Sequence, residues 1–290
     1  MNQPQRVGDR LRDSGFDVDG QVAIVTGCGR PNGLGYEIAR ELARRGARVV
    51  MSDLEDKGAR NSHEPAEIHE KGLGLNGLAA SLREQGMDVH PVLADVASID
   101  GPTELISAAI ERWGRLDILV NNAAAPQGED RKPLDEVSDE TLQFHVQVNL
   151  LGTFRMCRAA IPAMREQQYG RIINVSSIAA FRGSRHTALY SMTKAGIIGL
   201  TRSLAVEAAP HGITVNAISP GSIYTARSEN SMRRAGVTDS ARWLKVGDEI
   251  PAGRRGVPQD VAPAVVYLAS RAASYVNAQN LTIDGGHLGF

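Results

Sequence analysis

Short apolar runs alternate with longer stretches of mixed polarity along most of this chain. Each run is four to six residues long and rich in β-branched side chains, which is typical of a strand buried on both faces. Seven runs have this character, at 21–26, 47–52, 89–93, 116–120, 171–175, 213–218 and 280–283. The stretches between them are long enough for helices. The alternation predicts one α/β domain with a doubly wound, seven-stranded parallel sheet and helices on both faces.

Helix signals lie between the predicted strands. The first helix is predicted at 36–45 and is followed by Gly46, which suits a left-handed C-terminal cap. Ser138 is a suitable N-cap for the longest helix, 138–167, which we expect to be interrupted or bent near Pro162. Further helices are predicted at 78–85, at 102–113, in the segment that ends near Pro210, and at 258–270.

Three segments fall outside this alternation. Residues 1–19 are polar and predict an N-terminal extension to a catalytic domain that covers 20–290. Residues 55–75, charged and then glycine-dotted, predict an insertion. Residues 222–250 are polar without a strand pattern, and we expect them to form a loop over the substrate.

Composition narrows the function classes. The chain has 290 residues, 42% of them hydrophobic, and a net charge of −1 with acids and bases interspersed. This distribution argues against a nucleic-acid or membrane-surface partner. We found no signal-peptide pattern and no apolar run long enough to span a bilayer, so we expect a cytoplasmic protein. The two cysteines predict neither a disulfide nor a metal site, and His63 and His69 in the insertion have no evident third ligand.

A glycine-rich loop, 27–35, joins the first predicted strand to the first helix. Glycines there let the backbone approach a pyrophosphate, and the helix N-terminus favours its negative charge. The general spacing G-x-G-x-x-G is not met, so the loop alone is also compatible with a tight strand-to-helix turn. Asp53 ends the second strand eighteen residues after Gly35. An acid in this position binds adenosine ribose hydroxyls and repels a 2′-phosphate, which favours NAD over NADP. Arg30 is the nearby base that would favour NADP.

Tyr190 and Lys194 are four residues apart, one turn of a helix, and lie on the same face. A cation beside a phenol favours the phenolate and lowers the pKa of the tyrosine, which lets it exchange a proton with an alcohol or carbonyl near neutral pH. Ser177, thirteen residues upstream at the end of a predicted strand, is a second hydrogen-bond donor for the same substrate oxygen. An exposed helix pair is the alternative if the two residues are taken alone.

Other polar residues are less specific. Asn149 in the long helix is either a support for a proton relay or an ordinary polar position. His186, one turn before Tyr190, is either a substrate contact or a surface histidine. A set of basic residues in and near the predicted substrate loop is mixed with acids, and we interpret it as a solvated face rather than an anion-binding lid: Arg227, Arg233, Arg234, Arg242 and Lys245.

Taken together, these motifs resemble those of the short-chain dehydrogenase/reductase family, single-domain Rossmann-fold enzymes. The likeness covers about residues 20–287, with the motifs in the family's order. They are Thr26-Gly27, Gly33-Leu34-Gly35, Asp53, Asp95-Val96, Asn121-Asn122-Ala123-Ala124, Asn149, Ser177, Tyr190, Lys194, Pro220-Gly221, Thr225 and Asp284-Gly285-Gly286.

The resemblance implies hydride transfer between NAD(H) and a small alcohol or ketone, in a homotetramer or dimer. Tyr190 would be the general acid/base, Lys194 would lower its pKa and bind the nicotinamide ribose, Ser177 would orient the substrate oxygen, and Asn149 would anchor a water. The remaining family positions would hold the cofactor: Gly27, Gly33, Leu34, Gly35, Asp53, Asp95, Val96, Asn122, Pro220, Gly221, Ile223 and Thr225.

Two departures from the family pattern lie near the cofactor. Five residues separate Gly27 from Gly33, where the family has three, and the segment 55–75 is additional. The alternatives are an NADP-dependent ketoreductase, a sugar epimerase-like enzyme, an enoyl reductase, or a non-catalytic NAD-binding scaffold. Epimerases usually have a further substrate domain, enoyl reductases space Tyr and Lys more widely, and a scaffold would have lost some of the four catalytic residues.

Overall fold

The computed structural model describes residues 16–61, 64–70, 72–234, 236, 247 and 249–289. Its centre is a seven-stranded parallel sheet in the order β3-β2-β1-β4-β5-β6-β7. The strands are β1 Val22–Thr26, β2 Arg48–Asp53, β3 Val89–Leu93, β4 Ile118–Asn121, β5 Gly170–Val175, β6 Ile213–Pro220 and β7 Asn280–Ile283. This confirms the predicted doubly wound fold.

Nine α-helical segments lie in the described part of the chain. They are α1 Leu34–Arg44, α2 Ala66–His69, α3 Leu75–Glu84, α4 Gly101–Trp113, α5 Asp139–His145, α6 Thr153–Glu166, α7 Ala188–Ala208, α8 Ala226–Arg234 and α9 Pro258–Ala269. None of these helices is both long and apolar enough to cross a membrane.

Two hydrophobic layers cover the sheet. Ala23 and Val25 of β1 pack with α1, α3 and α9 on one face, whereas Val22 and Ile24 pack with α4, α6 and α7 on the other. Because both layers exclude water, the central strands are apolar on both sides, and each fully buried Val or Ile contributes about 1.5–3 kcal/mol. This burial explains why the strands could be predicted from short apolar runs.

The structure corrects several predicted boundaries. Helix α1 begins at Leu34 rather than at 36, α3 begins at Leu75 rather than at 78, and β4 begins at Ile118 rather than at 116. The insertion, predicted as irregular, contains the short helix α2, and the predicted substrate loop contains α8. In the insertion, Gly58, Glu64 and His69 lie against the glycine loop, whereas Leu75 packs into the core on one face of the sheet.

The long helix predicted at 138–167 is interrupted, but at a different place from the one predicted. A π-helical turn, Val146–Gly152, joins α5 to α6, whereas Pro162 lies inside α6. A π turn inserts one extra residue and is frequent at functional sites. Here it carries Asn149. Ser138 is the N-cap of α5 as predicted, and its hydroxyl accepts a hydrogen bond from the Thr141 backbone N–H.

Some predictions fall on residues outside the described ranges. These are most of the extension, residues 1–15, together with His63, Arg242 and Lys245. The division of the chain into an extension and a catalytic domain stays a prediction.

Candidate active site

A cleft of 640 Å³ runs along the carboxyl edge of the sheet. In a doubly wound sheet this edge is where ligands bind, next to the point at which the strand order reverses. Each of the first six strands delivers a lining residue at or just beyond its end: Gly27, Asp53, Asp95, Asn122, Ser177 and Gly221. All six are positions that the sequence analysis selected.

Tyr190 lies in the first turn of α7 and lines the cleft. Three cations surround its ring: Arg131 Cζ is 4.3 Å from the ring centroid, and Arg227 Cζ and Lys194 Nζ are each 5.8 Å away. Burial raises the pKa of the phenol, but Lys194, Arg227, Arg131 and a hydrogen bond to Ser177 together lower the pKa below its ordinary value. The surroundings therefore favour the phenolate.

Lys194 is held one turn beyond Tyr190 and is 3% exposed. Its Nζ donates a hydrogen bond to the Val175 carbonyl oxygen at 2.8 Å, at the end of β5. Ser176 Oγ donates to the Lys194 carbonyl oxygen at 2.8 Å. Burial lowers the pKa of Lys194, and the phenol of Tyr190 opposes that shift. Sequence reasoning missed Ser176, whose only signal was its position directly after the strand.

Ser177 begins a short 3₁₀ turn, Ile178–Ala180. Its Oγ accepts a hydrogen bond from the Ala179 backbone N–H at 3.2 Å, and this hydroxyl contributes to the lowered pKa of Tyr190. The turn fixes this hydroxyl beside the phenol, so both groups are directed toward one substrate oxygen.

Asn149 is fully buried in the π turn and does not line the cleft. Its Oδ1 accepts a hydrogen bond from the Ala125 backbone N–H at 2.8 Å, and its Nδ2 donates to Thr193 Oγ1 at 3.3 Å. The side chain thus connects the segment after β4 to the helix that carries Tyr190. These contacts make Asn149 a positioning residue.

The glycine loop packs closely against the segment that follows β4. Asn122 Nδ2 donates to the carbonyl oxygens of Thr26, at 2.8 Å, and Gly27, at 3.2 Å. A Cβ added at Gly35 would lie 2.2 Å from the Gly27 oxygen and 2.5 Å from Asn122 Nδ2, so only glycine fits there. Gly33 is the N-cap of α1 and has no side-chain cap, which leaves the first N–H groups of the helix to an anion.

Asp53 ends β2 in the cleft and is largely buried. Its two oxygens accept hydrogen bonds from the backbone N–H groups of Gly29, at 2.7 Å, and Leu54, at 2.8 Å. Burial raises its pKa, against the effect of these hydrogen bonds and of Arg30. Asp95 accepts from the Ala97 N–H at 2.8 Å, and Val96 follows it in the lining.

The longer glycine loop and the insertion form one unit. Arg30 makes two hydrogen bonds to the Glu64 carboxylate, at 2.7 and 2.8 Å, and its Nη2 lies 2.9 Å from His69 Nδ1. A Cβ at Gly29 would lie 2.7 Å from the Gly58 nitrogen. Asn61 donates to the Gln127 carbonyl oxygen across the cleft. The longer glycine loop and the insertion, the two departures from the family pattern, therefore pack against each other. The sequence analysis did not predict this contact.

The segment after β6 completes the lining. Gly221 donates from its backbone N–H to the Ile283 oxygen at 2.9 Å, and a Cβ there would lie 2.6 Å from Asp284 Cβ. Pro220, Ile223 and Thr225 line the cleft, as do Gly33 and Leu34 on the opposite side. His186 has an exposed side chain and does not line the cleft, although Ser184 and Thr187 do.

The prediction that the basic residues near α8 form a solvated face is wrong for Arg227 and Arg234. Both side chains are partly buried, and Arg227 Nη2 and Arg234 Nη1 are buried with no hydrogen-bond partner among the described residues. Arg227 lies over Tyr190 together with Arg131. Arg233 does fit the prediction of basic residues mixed with acids, because it pairs with Glu229 one turn away at 3.8 Å.

The chain is similar to known proteins over most of its length. A family model described as enoyl-(acyl carrier protein) reductase matches residues 27–287. The 2-dehydro-3-deoxy-D-gluconate 5-dehydrogenase of Escherichia coli (strain K12) is 37% identical over 276 residues, which cover 95% of this chain and 98% of that protein.

Two solved structures are also similar. Levodione reductase has a TM-score of 0.83 and 31% identity, and the match covers 93% of this chain and 98% of the other. A putative NAD(P)-dependent gluconate 5-dehydrogenase from Beutenbergia cavernae, with bound NADP at low occupancy, has a TM-score of 0.80 and 34% identity over 95% of this chain and 99% of that one.

Proposed function

Since this chain belongs to the short-chain dehydrogenase/reductase family, we propose that it is an NAD-dependent alcohol dehydrogenase or ketoreductase with Tyr190 as its general acid/base. The chain is an oxidoreductase that transfers a hydride between a nicotinamide cofactor and an alcohol or ketone. The observation that carries the proposal is the placement of Tyr190 beside Lys194 and Ser177 in the cleft.

Tyr190 serves in both directions of the reaction. In oxidation its phenolate accepts the proton of the substrate hydroxyl, and in reduction the phenol donates that proton to the carbonyl oxygen. Ser177 Oγ accepts from the Ala179 N–H, so its own O–H is left to donate to the substrate oxygen. Lys194 stabilises the phenolate by its charge, and Asn149 holds α7 in place through Thr193. A part for Asn149 in a water-mediated proton relay stays a prediction.

The cleft suits a dinucleotide. The uncapped N-terminus of α1 with Gly27, Gly33, Leu34 and Gly35 suits the pyrophosphate. We assign Asp53, Asp95, Val96 and Asn122 to the adenosine end, and Lys194, Pro220, Gly221, Ile223 and Thr225 to the nicotinamide end. When bound, the cofactor supplies or accepts the hydride, while the protein residues position the reactants and move the proton.

NAD rather than NADP is supported by two charges at the adenosine end. The Asp53 carboxylate lines the cleft and would repel a 2′-phosphate. Arg30, the base nearest to Asp53 in the loop, is already paired with Glu64. The Beutenbergia cavernae relative was solved with NADP, so the preference has to be measured on this chain.

An enoyl reductase, the description of the matching family model, is the weaker candidate. Tyr190 and Lys194 lie one turn apart and line the cleft together with Ser177, an arrangement that suits protonation of a carbonyl oxygen. A non-catalytic NAD-binding scaffold is opposed by the three cations around the Tyr190 ring, because cofactor binding alone does not require a phenol whose pKa is lowered.

We also propose a homo-oligomer that acts in the cytoplasm. Large apolar side chains are exposed on the helices that carry the site: Leu142, Phe144, Phe154, Met192 and Val206. Cys28 and Cys157 are free and buried, which suits a reducing compartment. Light scattering of the purified protein should give the mass of a dimer or tetramer of 31.1 kDa chains, and a monomer would contradict this proposal.

The hydride-transfer proposal is tested with NADH deuterated at C4, in both stereochemical forms. Reduction of a panel of ketones with one of the two forms should place deuterium on the carbinol carbon, measured by mass spectrometry. Saturation of a carbon–carbon double bond, or deuterium found only in unreacted cofactor, would contradict the proposal. With a reduced ketone in hand, kcat/KM for NADH should exceed that for NADPH.

A further inference from the structure

Arginines from two separate segments converge on the substrate side of Tyr190. Arg131 follows β4, whereas Arg227 and Arg234 lie on α8, one at each end. Arg131 and Arg227 both lie over the Tyr190 ring, with Cζ-to-centroid distances of 4.3 and 5.8 Å. Arg234 is close enough to influence the pKa of Arg131. We call Arg131, Arg227 and Arg234 the arginine cluster.

Within the described ranges, protein carboxylates balance only part of the charge of the arginine cluster. Asp130 Oδ2 lies 3.1 Å from Arg131 Nε, and among the described residues it is the one carboxylate whose charge affects the pKa of Arg131 and of Arg234. Among the residues that the structure describes, three guanidinium groups therefore face one carboxylate. His145 does not change this balance. Burial lowers the pKa of His145, which favours the neutral imidazole.

Burial makes this excess charge costly. The Arg131 side chain is 10% exposed, and burial lowers the pKa of both Arg131 and Arg234. Arg227 Nη2 and Arg234 Nη1 are buried donors for which the described part of the chain offers no acceptor. Buried charged donors are normally paired, because each unpaired group carries the full cost of its desolvation.

Neutral acceptors occupy only part of the cluster. Gln127, with its amide oxygen directed toward the arginines, accepts from Arg131 Nη2 at 2.6 Å and from Arg227 Nε at 3.3 Å, and donates to Ser231 Oγ. Arg227 Nη1 donates a long hydrogen bond to the Ala124 carbonyl oxygen at 3.4 Å. These contacts orient two guanidinium groups toward the cleft without neutralising them.

The cofactor's phosphates do not explain the cluster. The N–H groups that suit a pyrophosphate are at the start of α1, and the arginine beside that loop is Arg30, which is paired with Glu64. Arg131 and Arg227 of the cluster instead lie over the phenol that exchanges a proton with substrate. An anion bound there belongs to the substrate.

Resting on the proposed function, we propose that the substrate carries an anionic group, a carboxylate or a phosphate, near its reacting carbon, and that the arginine cluster binds this group. Guanidinium groups pair with both kinds of anion through two parallel hydrogen bonds, which fixes orientation as well as charge. Because Arg131 and Arg227 contact the Tyr190 ring, the anion and the reacting carbon are neighbours in a short substrate.

The test compares each anion with a neutral counterpart that lacks its charge. The probes are glycerate and 3-hydroxybutyrate with their primary amides, and glycerol 3-phosphate with glycerol. Each is titrated into the protein saturated with NADH, and its dissociation constant is measured from the change in NADH fluorescence, which requires no turnover. At least one anion should bind about 10- to 100-fold more tightly than its neutral counterpart, the ratio expected for hydrogen bonds to a charged group. The pair with the largest ratio identifies carboxylate or phosphate.

Substitutions in the arginine cluster test whether the cluster causes the difference in affinity between the anions and their neutral counterparts. Arg227→Gln should lower the anion-to-neutral ratio about 10-fold or more, and Arg234→Gln, at a residue outside the cleft lining, should lower it less. Arg227→Lys, which keeps the charge and loses the planar fork, should retain an intermediate ratio. The matched control is Arg233→Gln, on the same helix but paired with Glu229 outside the lining, and it should leave the ratio unchanged.

The outcomes separate this inference from the proposed function. If no anion binds more tightly than its neutral counterpart, or none binds at millimolar concentration, the inference is wrong. If the ratio is high but survives both glutamine substitutions, the cluster is not the binding site. A variant that fails to fold leaves the wild-type ratio to decide. Transfer of deuterium to a ketone is measured separately, so hydride transfer can succeed while anion recognition fails, or the reverse.

Discussion

Replacing Glu64 with glutamine tests whether the insertion sets the cofactor preference. Glu64 receives two hydrogen bonds from Arg30, at 2.7 and 2.8 Å, and its side chain is 2% exposed. Arg30 and Asp53 both lie in the cleft, on either side of Gly58: its Cβ position is 3.3 Å from Arg30 Nε and 3.5 Å from Asp53 Oδ2. Glu64→Gln keeps the shape but removes the charge that neutralises Arg30.

Two effects should follow from this substitution. Loss of a charge-assisted pair costs about 1.5–3 kcal/mol of folding free energy. At about 2–4 °C per kcal/mol for a domain of this size, Tm should fall by about 3–12 °C. The released Arg30 guanidinium then becomes available to a 2′-phosphate, so the ratio of kcat/KM for NADPH to that for NADH should rise about 10-fold, equivalent to about 1.4 kcal/mol.

The assay combines thermal unfolding with NADH and NADPH kinetics on one ketone. The matched control is Glu41→Gln on α1, because Glu41 is also mostly buried and makes two hydrogen bonds to Arg44, both 2.9 Å long, but does not line the cleft. The control should lose stability without any change in cofactor ratio. A Glu64→Gln protein with lower Tm and an unchanged ratio would refute the reasoning about Arg30.

Further predictions concern the glycine loop, the π turn and acid stability. Gly35→Ala should abolish NADH binding in a fluorescence titration, or prevent folding, because its Cβ would lie 2.2 Å from the Gly27 oxygen; near-normal binding would contradict this close contact. Asn149→Ala should lower both stability, by about 1–3 kcal/mol, and kcat, because it leaves the buried Ala125 N–H without its acceptor; an unchanged urea midpoint would contradict it. Hydrogen bonds from Arg44, then Arg45, lower the pKa of Glu41 to about 2. This folded value is below the unfolded one, so the stabilisation is present above about pH 4.5 and is lost as pH falls toward 2; Glu41→Gln should therefore flatten the decline of the urea midpoint in that window, and parallel curves would contradict it.

The sheet and the phenol–lysine pair could be predicted because their signals are local. A buried parallel strand needs a short apolar run, and Tyr190 and Lys194 need only the spacing of one helical turn. Gly27, Asp53, Asp95, Asn122 and Ser177 could be placed as well, because strand ends in such a sheet meet at one edge.

The contacts that distinguish this chain from its family depend on tertiary structure. Arg30 pairs with Glu64 across thirty-four residues, and Gln127 meets Arg227 across a hundred. In the sequence, Arg227 and Arg234 were surrounded by polar residues and acids, which is the pattern of a solvated helix. Only the packing of α8 over Tyr190 shows that these two arginines are partly buried.

The function of Asn149 was also not evident from its position. The family resemblance assigned it to a proton relay, whereas the structure places its amide between Ala125 and Thr193. The π turn that makes this connection has no sequence signal that we recognised. Its effect is to join the cofactor side of the cleft to the helix of the general acid/base.

The most direct test of the account is Tyr190→Phe, which removes only the hydroxyl that exchanges the proton. Turnover of any ketone reduced by the wild-type protein should fall by a factor of about 10²–10⁴ or more, the contribution of a general acid/base. The Kd for NADH, measured by fluorescence on the same preparation, should change little because Lys194 and the glycine loop are intact. A Tyr190→Phe protein that keeps a near-normal kcat would contradict the central claim.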